Sequence, residues 1–503
     1  MPSPSRNPAP LPLPASLNLA EHVLARAETL GDKVALQLLR PSGAERWSYA
    51  RLSGAVRGVA TGLLERGLAP GDRVLLRLGN GVEFPLAFLG AIAAGLVPVV
   101  ASSQLTQPEV ERIARDLAPR LTVAGAGIAR PEGIPALEAS ALMEMEGLSP
   151  AAFATGDSNR PAYAVYTSGT SGAPRAVLHA HRAILARALM FEGWYGLRAD
   201  DRMLHAGAMN WTYTLGTGLL DPWTLGATAL VPAAGVTADQ IPLLMKRFDA
   251  TIFAAAPGVY RQLLKYGARL ALPRLRHGLS AGEKLPEATR AAWMAATGTP
   301  VHEAFGMSEC STFLSGSPAR HAPAGTLGYP QAGRHVGILD DEGHPVAHGA
   351  EGTIAVHRSD LGLFLTYADA PDEAAARFRG DWFLTGDRAV ATVDGAFRYL
   401  GRADDMMNAG GYRVSPAEVE AAFADAPGLE ACAAFEARVK ADTTVIALAH
   451  CGTASEQNLE AAAARALARY KQPRLYLRRD SLPRTATGKT NRRALREEWE
   501  KTH

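Results

Sequence analysis

Short apolar runs of strand length alternate with helix-length segments over most of this chain. That alternation restricts the fold more than any other feature. Arg73–Leu78, Val97–Val100, Ala162–Tyr166, Ala229–Val231, Thr251–Ala255 and Gly352–Val356 are strand-like, and Phe84–Ala94, Ala238–Phe248 and Pro257–Tyr266 carry helical patterns. Strands separated by helices predict layered α/β architecture with largely parallel sheets. No repeat period is present, which argues against a solenoid or propeller. After Leu400 the pattern changes. Pro416–Asp425 and Glu456–Arg469 read as helices, Ala431–Phe435, Thr444–Ala449 and Arg474–Arg478 as strands, and Leu482–Arg496 as a polar, basic end. With 503 residues there is chain enough for two or more cores. We expect a flexible leader over 1–14, a large α/β domain over 15–400, a hinge at 401–405 and a smaller, mobile α+β domain over 406–503.

Composition excludes several classes. Lys+Arg is 52 and Asp+Glu is 50, a net charge of +2. Nucleic acid is therefore not an expected partner, since it needs clustered basic residues. A hydrophobic fraction of 47% excludes global disorder. The three cysteines (Cys310, Cys432, Cys451) form no CxxC and no disulfide framework, as expected of reduced thiols in the cytoplasm. Met1–Pro14 lacks the apolar core of a signal peptide. Phe84–Val100 is the most apolar long run, but Pro85, Gly90, Gly95 and Pro98 interrupt it. It falls short of the roughly 20 residues of a bilayer span, so no membrane span is expected.

The richest local signal is Tyr166-Thr-Ser-Gly-Thr-Ser-Gly-Ala-Pro-Arg175, which follows a strand-like run and precedes a helix-like one near Arg182. Gly169 and Gly172 let the backbone curl so that successive N–H groups face an anion. Thr167, Ser168, Thr170 and Ser171 add hydroxyls, and Arg175 adds charge. That is the chemistry of a pyrophosphate or triphosphate cradle. It is not a Walker A loop, because GxxxxGK[ST] is absent; Gly488-Lys489-Thr490 has Pro483 where the first glycine is needed. Alone, the stretch reads more readily as a solvated Ser/Thr/Gly turn than as a phosphate site.

Other stretches decide between the two. YTSGTSGAPRAVLHAH resembles the phosphate loop of the adenylate-forming superfamily of acyl- and aryl-CoA synthetases, peptide-synthetase adenylation domains and luciferases. Further motifs of that superfamily follow in order: Phe305-Gly-Met-Ser-Glu309, Trp382-Phe-Leu-Thr-Gly-Asp387, Gly401-Arg-Ala-Asp-Asp405, Gly410-Gly-Tyr-Arg413 and Pro483-Arg-Thr-Ala-Thr-Gly-Lys489. The resemblance implies an AMP-forming carboxylate–CoA ligase. A carboxylate attacks the α-phosphorus of ATP to give acyl-AMP and pyrophosphate, and the thiol of coenzyme A then displaces AMP. ATP, Mg2+ and coenzyme A are the implied cofactor and co-substrates.

The resemblance also implies roles by position. Lys489 bridges carboxylate and α-phosphate, and Glu309 is the magnesium-associated acid. Thr170 joins them as catalytic. The nucleotide set is Thr167, Ser168, Gly169, Thr170, Ser171, Gly172, Arg175, Gly282, Glu283, Glu303, Phe305, Ser308, Asp387 and Arg402. Within it, Asp387 and Arg402 meet the ribose, and Gly282, Glu283, Glu303 and Phe305 lie at the adenine. Asp404 is the hinge, and Gly410, Gly411 and Tyr412 line the coenzyme A channel. Two positions depart from the pattern: Arg175 and Ala176 stand where the family has Lys and Gly. Ser308 replaces the usual Thr and keeps a hydroxyl.

Ala208, Met209, Trp211, Ala281, Gly306 and Met307 are the acyl-pocket candidates, and all are apolar or glycine. Acetate-specific relatives carry Trp at the position of Gly306, so the expected acid is larger than acetate: aromatic, alicyclic, branched or medium-chain. No carboxylate in Ala208–Thr214 would hold an α-ammonium, which argues against an amino acid. Two other readings stay open: a stand-alone enzyme that loads a carrier protein, and a non-catalytic adenylate-binding regulator. A homodimer is also left open.

Overall fold

The computed structural model describes residues 12–167, 175–267, 269–403, 405–409, 412–440, 443–467, 469–485 and 488–502. Ser168, Gly169, Thr170, Ser171, Gly172, Asp404, Gly410 and Gly411 lie outside the described residues. For Thr167 and Tyr412 only the backbone is described. The chain divides into two compact units. One holds the described residues up to His335 together with His357–Phe378; the other holds Val336–Val356 and the chain from Arg379. The break falls earlier than the boundary expected at 400. Strand pairing is the cause: Val336–Leu339, Glu351–His357, Trp382–Ala391 and Phe397–Arg402 lie in one sheet that belongs with the C-terminal chain.

The larger unit is built on two sheets. In the nine-stranded sheet, the parallel strands His277–Ser280, Ile252–Ala255, Arg202–His205, Thr228–Pro232 and Val34–Arg40 are neighbours in that order, with Val301–Met307 parallel beside His277–Ser280. In the seven-stranded sheet, Pro161–Thr167, Val97–Val100, Arg73–Arg77 and Leu121–Ala124 are parallel. Val97–Val100 (VPVV) is buried at all four positions. A strand covered on both faces reads as one continuous apolar run. The helix Glu83–Ala93 is buried nearly all round for the same reason. A Cβ at its Gly90 would lie 2.7 Å from Val59 Cγ1, so that glycine lets the helix Tyr49–Leu64 come close. The apolar run Phe84–Val100 is thus a buried helix leading into a strand. Among the described residues no helix is long and apolar enough to cross a membrane.

The strand registers put several loops at one edge. Ala254 pairs with His205, Ala255 with Ser280, and Ser280 with Glu303. The chain therefore leaves three neighbouring parallel strands side by side, at their carboxyl ends, where ligands of open α/β sheets bind. In the other sheet, Pro161–Thr167 turns back into Arg175–Ala180, a strand that the sequence pattern did not predict. Their antiparallel register closes at Thr167 and Arg175, so 168–174 connects two paired strands.

In the smaller unit, Leu429–Lys440, Thr443–Gly452 and Leu475–Arg478 form a three-stranded sheet. Alternate residues face opposite sides. Ala434, Ile446 and Leu448 pack with Val419 and Leu459 of the helices Pro416–Ala421 and Glu456–Ala466. Ala433, Phe435 and Ala447 pack with Leu495 and Trp499 of the helix Arg492–Thr502.

Candidate active site

The loops at the carboxyl edge of the nine-stranded sheet bring several candidates together. Gly282, after His277–Ser280, has φ +97°, a conformation natural only to glycine. A Cβ there would lie 2.8 Å from Trp211 Cζ2. Trp211 is half-buried and meets Tyr213 edge-on, with ring centroids 5.2 Å apart. Ala281 and Tyr213 belong to the same buried cluster, against which Trp211 packs. Trp211, Ala281 and Gly282 thus form one wall. Asn80 holds the loop that carries Trp211: its amide donates to the Gly207 carbonyl at 3.0 Å, and it accepts from Met209 N–H at 2.8 Å. Met209 is fully buried in the main core cluster, whereas Ala208 is exposed.

Glu303 sits in this edge with 6% exposure and both oxygens engaged. Oε1 accepts from Leu285 N–H at 2.8 Å, and Oε2 pairs with Arg290 at 2.9 Å. Burial raises its pKa, against the lowering pull of the Leu285 amide and Arg290. Glu303 therefore ties the Ser280–Pro286 loop to Val301–Met307. Glu283 faces Arg261 at 3.8 Å. Phe305 meets Phe313 edge-on at 5.5 Å. Gly306 has a backbone reason of its own. A Cβ there would lie 2.2 Å from the Ser311 carbonyl oxygen and 2.4 Å from Thr312 Cα, on the paired strand Ser311–Ser315. Met307 is half-buried and accepts from Cys310 N–H at 3.2 Å.

Glu309 is 12% exposed at its side chain. The Tyr367 hydroxyl donates to its Oε1 at 2.6 Å, and Arg377 Nη1 lies 3.5 Å from the same oxygen. Arg377 also donates to the Tyr367 hydroxyl at 2.6 Å. Burial, and then the Glu309 carboxylate, hold the Tyr367 phenol protonated far above its ordinary range. The preceding residue, Ser308, is fixed through its carbonyl, which lies 2.7 Å from His179 Nε2. A carbonyl only accepts, so Nε2 carries the proton. Nδ1 of His179 is buried and has no hydrogen-bond partner among the described residues. Burial lowers the His179 pKa to about 4, so the ring is neutral at neutral pH. His179 stacks on Tyr163 with centroids 5.0 Å apart.

Arg175 opens the return strand after the phosphate-loop sequence. Its Nε donates to Glu373 Oε2 at 2.7 Å, its Nη2 bonds the same oxygen, and its Nη1 lies 3.7 Å from Asp369 Oδ2. In the smaller unit, Asp387 and Arg402 are directly paired across two strands. Arg402 Nη1 lies 3.3 Å from Asp387 Oδ2, and the Tyr399 hydroxyl donates to Oδ1 at 3.0 Å. Lys489 is exposed, in a loop closed by hydrogen bonds from Thr485 N–H to its carbonyl at 2.7 Å and from Asn491 N–H to Pro483 O at 2.8 Å. Asp405 receives Arg496 at 3.2 Å and lies 3.7 Å from Arg492, which also pairs with half-buried Glu420 at 2.7 Å.

Sequence reasoning passed over Tyr367, Arg377, His179, Arg290 and Tyr399. His179 stands inside the motif YTSGTSGAPRAVLHAH and Tyr399 three residues before Arg402; no local signal marked the others. The layered fold and the edge cluster define an enzyme of the open α/β kind, with its ligand side at the strand ends. The family model of the AMP-binding enzyme matches residues 23–368. The human mitochondrial acyl-coenzyme A synthetase ACSM2A is 30% identical over 530 residues, covering 97% of this chain and 92% of that protein. The benzoate–CoA ligase of Thauera aromatica is 30% identical, covering 98% of each. The crystal structure of the anthranilate CoA ligase AuaEII in complex with anthranoyl-AMP matches with a TM-score of 0.87 and 27% identity, covering 97% of this chain and 98% of that one. The chain belongs to the AMP-binding enzyme family and is an AMP-forming acid–thiol ligase of its acyl- and aryl-CoA synthetase kind. ATP, a small carboxylic acid and coenzyme A are the substrates of that class.

Proposed function

We propose that the protein joins an aromatic carboxylic acid to coenzyme A through an acyl-adenylate. The observation that carries the aromatic reading is the wall of Trp211, Ala281 and Gly282, with Tyr213 set edge-on behind the indole. Flat apolar surface of that kind suits a ring, and relatives named for benzoate and anthranilate support it. Apolar walls discriminate modestly, about 1–3 kcal/mol per methylene, so neighbouring acids are accepted to graded extents.

In this reading the loop Thr167–Gly172 cradles the phosphates, Asp387 and Arg402 take the ribose, and the adenine lies by Gly282, Glu283, Glu303 and Phe305. Glu303 acts there by holding the loop, since both its oxygens are engaged. Glu309 suits Mg2+, which binds through few carboxylates and otherwise through phosphates and water. Tyr367 and Arg377 both fall on Glu309 Oε1. Bound there, the ion would offset charge on the phosphates. Lys489 offsets the two anions as they approach, and Ser308 and Thr170 add hydroxyls near the α-phosphate. The stretch 401–405, centred on Asp404, serves as the hinge. Through it the C-terminal domain presents Lys489 for adenylation and Gly410, Gly411 and Tyr412 for the thiol step. Three free cysteines fit a reducing cytoplasm.

Pyrophosphate release, measured with ATP, Mg2+ and coenzyme A across benzoate-like, alicyclic and linear acids, tests this. We expect the highest kcat/KM with a benzoate-like acid. Adenylate without a coenzyme A-dependent thioester would move the reading to carrier-protein loading. ATP binding without pyrophosphate release from any acid would refute it. Lys489→Ala should abolish adenylation and largely spare thioester formation from supplied acyl-adenylate; equal loss of both would remove the lysine from its assigned step.

A further inference from the structure

Arg175 stands where the resemblance expects a lysine for the phosphates, yet its guanidinium is committed to carboxylates. Nε and Nη2 both bond Glu373 Oε2, and Nη1 lies 3.7 Å from Asp369 Oδ2. The other Asp369 oxygen accepts from Ala176 N–H at 2.8 Å, and Ala368 N–H donates to the Ala176 carbonyl at 2.8 Å. The strand Thr366–Tyr367 pairs with Arg175–Ala180 through Thr366–Leu178 and Tyr367–Val177. Two residues before Asp369, Tyr367 donates to Glu309. One short segment, 366–377, therefore grips the foot of the phosphate-loop strand pair and the glutamate proposed for magnesium.

We propose that Arg175 is a positioning residue, held by Glu373 and Asp369, that fixes the strand after the phosphate loop in register with Glu309, and that it is not a ligand of the ATP phosphates. This rests on the ligase reading above. The choice of arginine follows from the geometry. A planar fork meets two carboxylates at once, which a lysine ammonium does as a single point charge. Turning Arg175 towards phosphate would strip the charge partner from Asp369, whose side chain is only 5% exposed.

The test uses the full chain and varies ATP at saturating benzoate, then benzoate at saturating ATP. R175A, E373Q, the double variant and R175K are compared by pyrophosphate release and by melting temperature. We expect R175A and E373Q each to raise the KM for ATP by a similar factor, on the order of fivefold, with the KM for benzoate unchanged. The double variant should be no worse than the poorer single one, and R175K should recover only part. Mere loss of folded protein would lower kcat and leave both KM values alone. The proposal is overturned if R175A raises the KM for ATP while E373Q lowers it or leaves it unchanged, or if the two effects multiply. A wild-type chain that releases no pyrophosphate refutes the ligase reading instead. The pairing is then read from melting temperatures, where additive losses in the double variant would overturn it.

Discussion

Gly306→Ala separates two explanations for one glycine. In the first, the missing side chain leaves room for a large acid. In the second, the neighbouring strand demands glycine. The added Cβ would lie 2.2 Å from Ser311 O, 2.4 Å from Thr312 Cα and 2.7 Å from Ser311 C, all backbone atoms. Ordinary contact needs more than 3 Å, so the strands must part by about 1 Å or lose register at Gly306–Thr312 and Met307–Ser311. Overpacking of this kind costs about 1–3 kcal/mol, and a lost ladder hydrogen bond adds about 1 kcal/mol. We therefore expect a loss of about 3 kcal/mol, or a melting temperature lower by roughly 4 °C for a unit of about 350 residues. Thermal melting followed by circular dichroism measures it, with acid preference measured in parallel by pyrophosphate release. An unchanged melting temperature together with a shift of preference towards acetate would refute the strand argument and restore the pocket explanation.

Two other perturbations probe the same edge. Tyr367→Phe removes the hydroxyl that donates to Glu309 and accepts from Arg377. A hydrogen bond to a charged group is worth about 1.5–3 kcal/mol, so kcat/KM for ATP should fall about tenfold or more and more Mg2+ should be required; an unchanged Mg2+ titration would show that Tyr367 does not position Glu309. His179 is held neutral by burial, with its pKa lowered from 6.5 to about 4. Its folded pKa lies below its unfolded one, so its contribution is complete above pH 6.5 and is lost as the pH falls through 4, about 3 kcal/mol in all. His179→Gln keeps a donor for the Ser308 carbonyl and does not titrate. Between pH 7 and 4.5 the wild-type melting temperature should fall further than that of the variant, and parallel curves would dismiss the assignment.

The sequence shows some of this plainly and some not at all. Val97–Val100 is legible because burial on both faces leaves an unbroken apolar run. Arg175–Ala180 is not, because its six residues include Arg175 and His179 and its burial comes from pairing with Pro161–Thr167. Glu309 and Lys489 are legible as members of ordered motifs. Tyr367 lies 58 residues from Glu309, and only the pairing of Thr366–Tyr367 with Arg175–Ala180 delivers it there. The boundary between the units was misplaced for a related reason: local pattern changes near 400, but the sheet containing Asp387 and Arg402 reaches back to Val336.

The ion pairs of Asp405 carry a last consequence. Arg492 and Arg496 lie on the helix that begins three residues after Lys489, and they reach the residue that follows Asp404. The lysine's loop and the far side of the proposed hinge are thus bolted to one rod. A chain ending at Asn491 would keep every residue of the PRTATGK motif. It would lose the rod, and with it the surface of Leu495 and Trp499 that seats against the sheet. The last twelve residues contain none of the motifs, yet they are the mounting on which the aim proposed for the lysine depends.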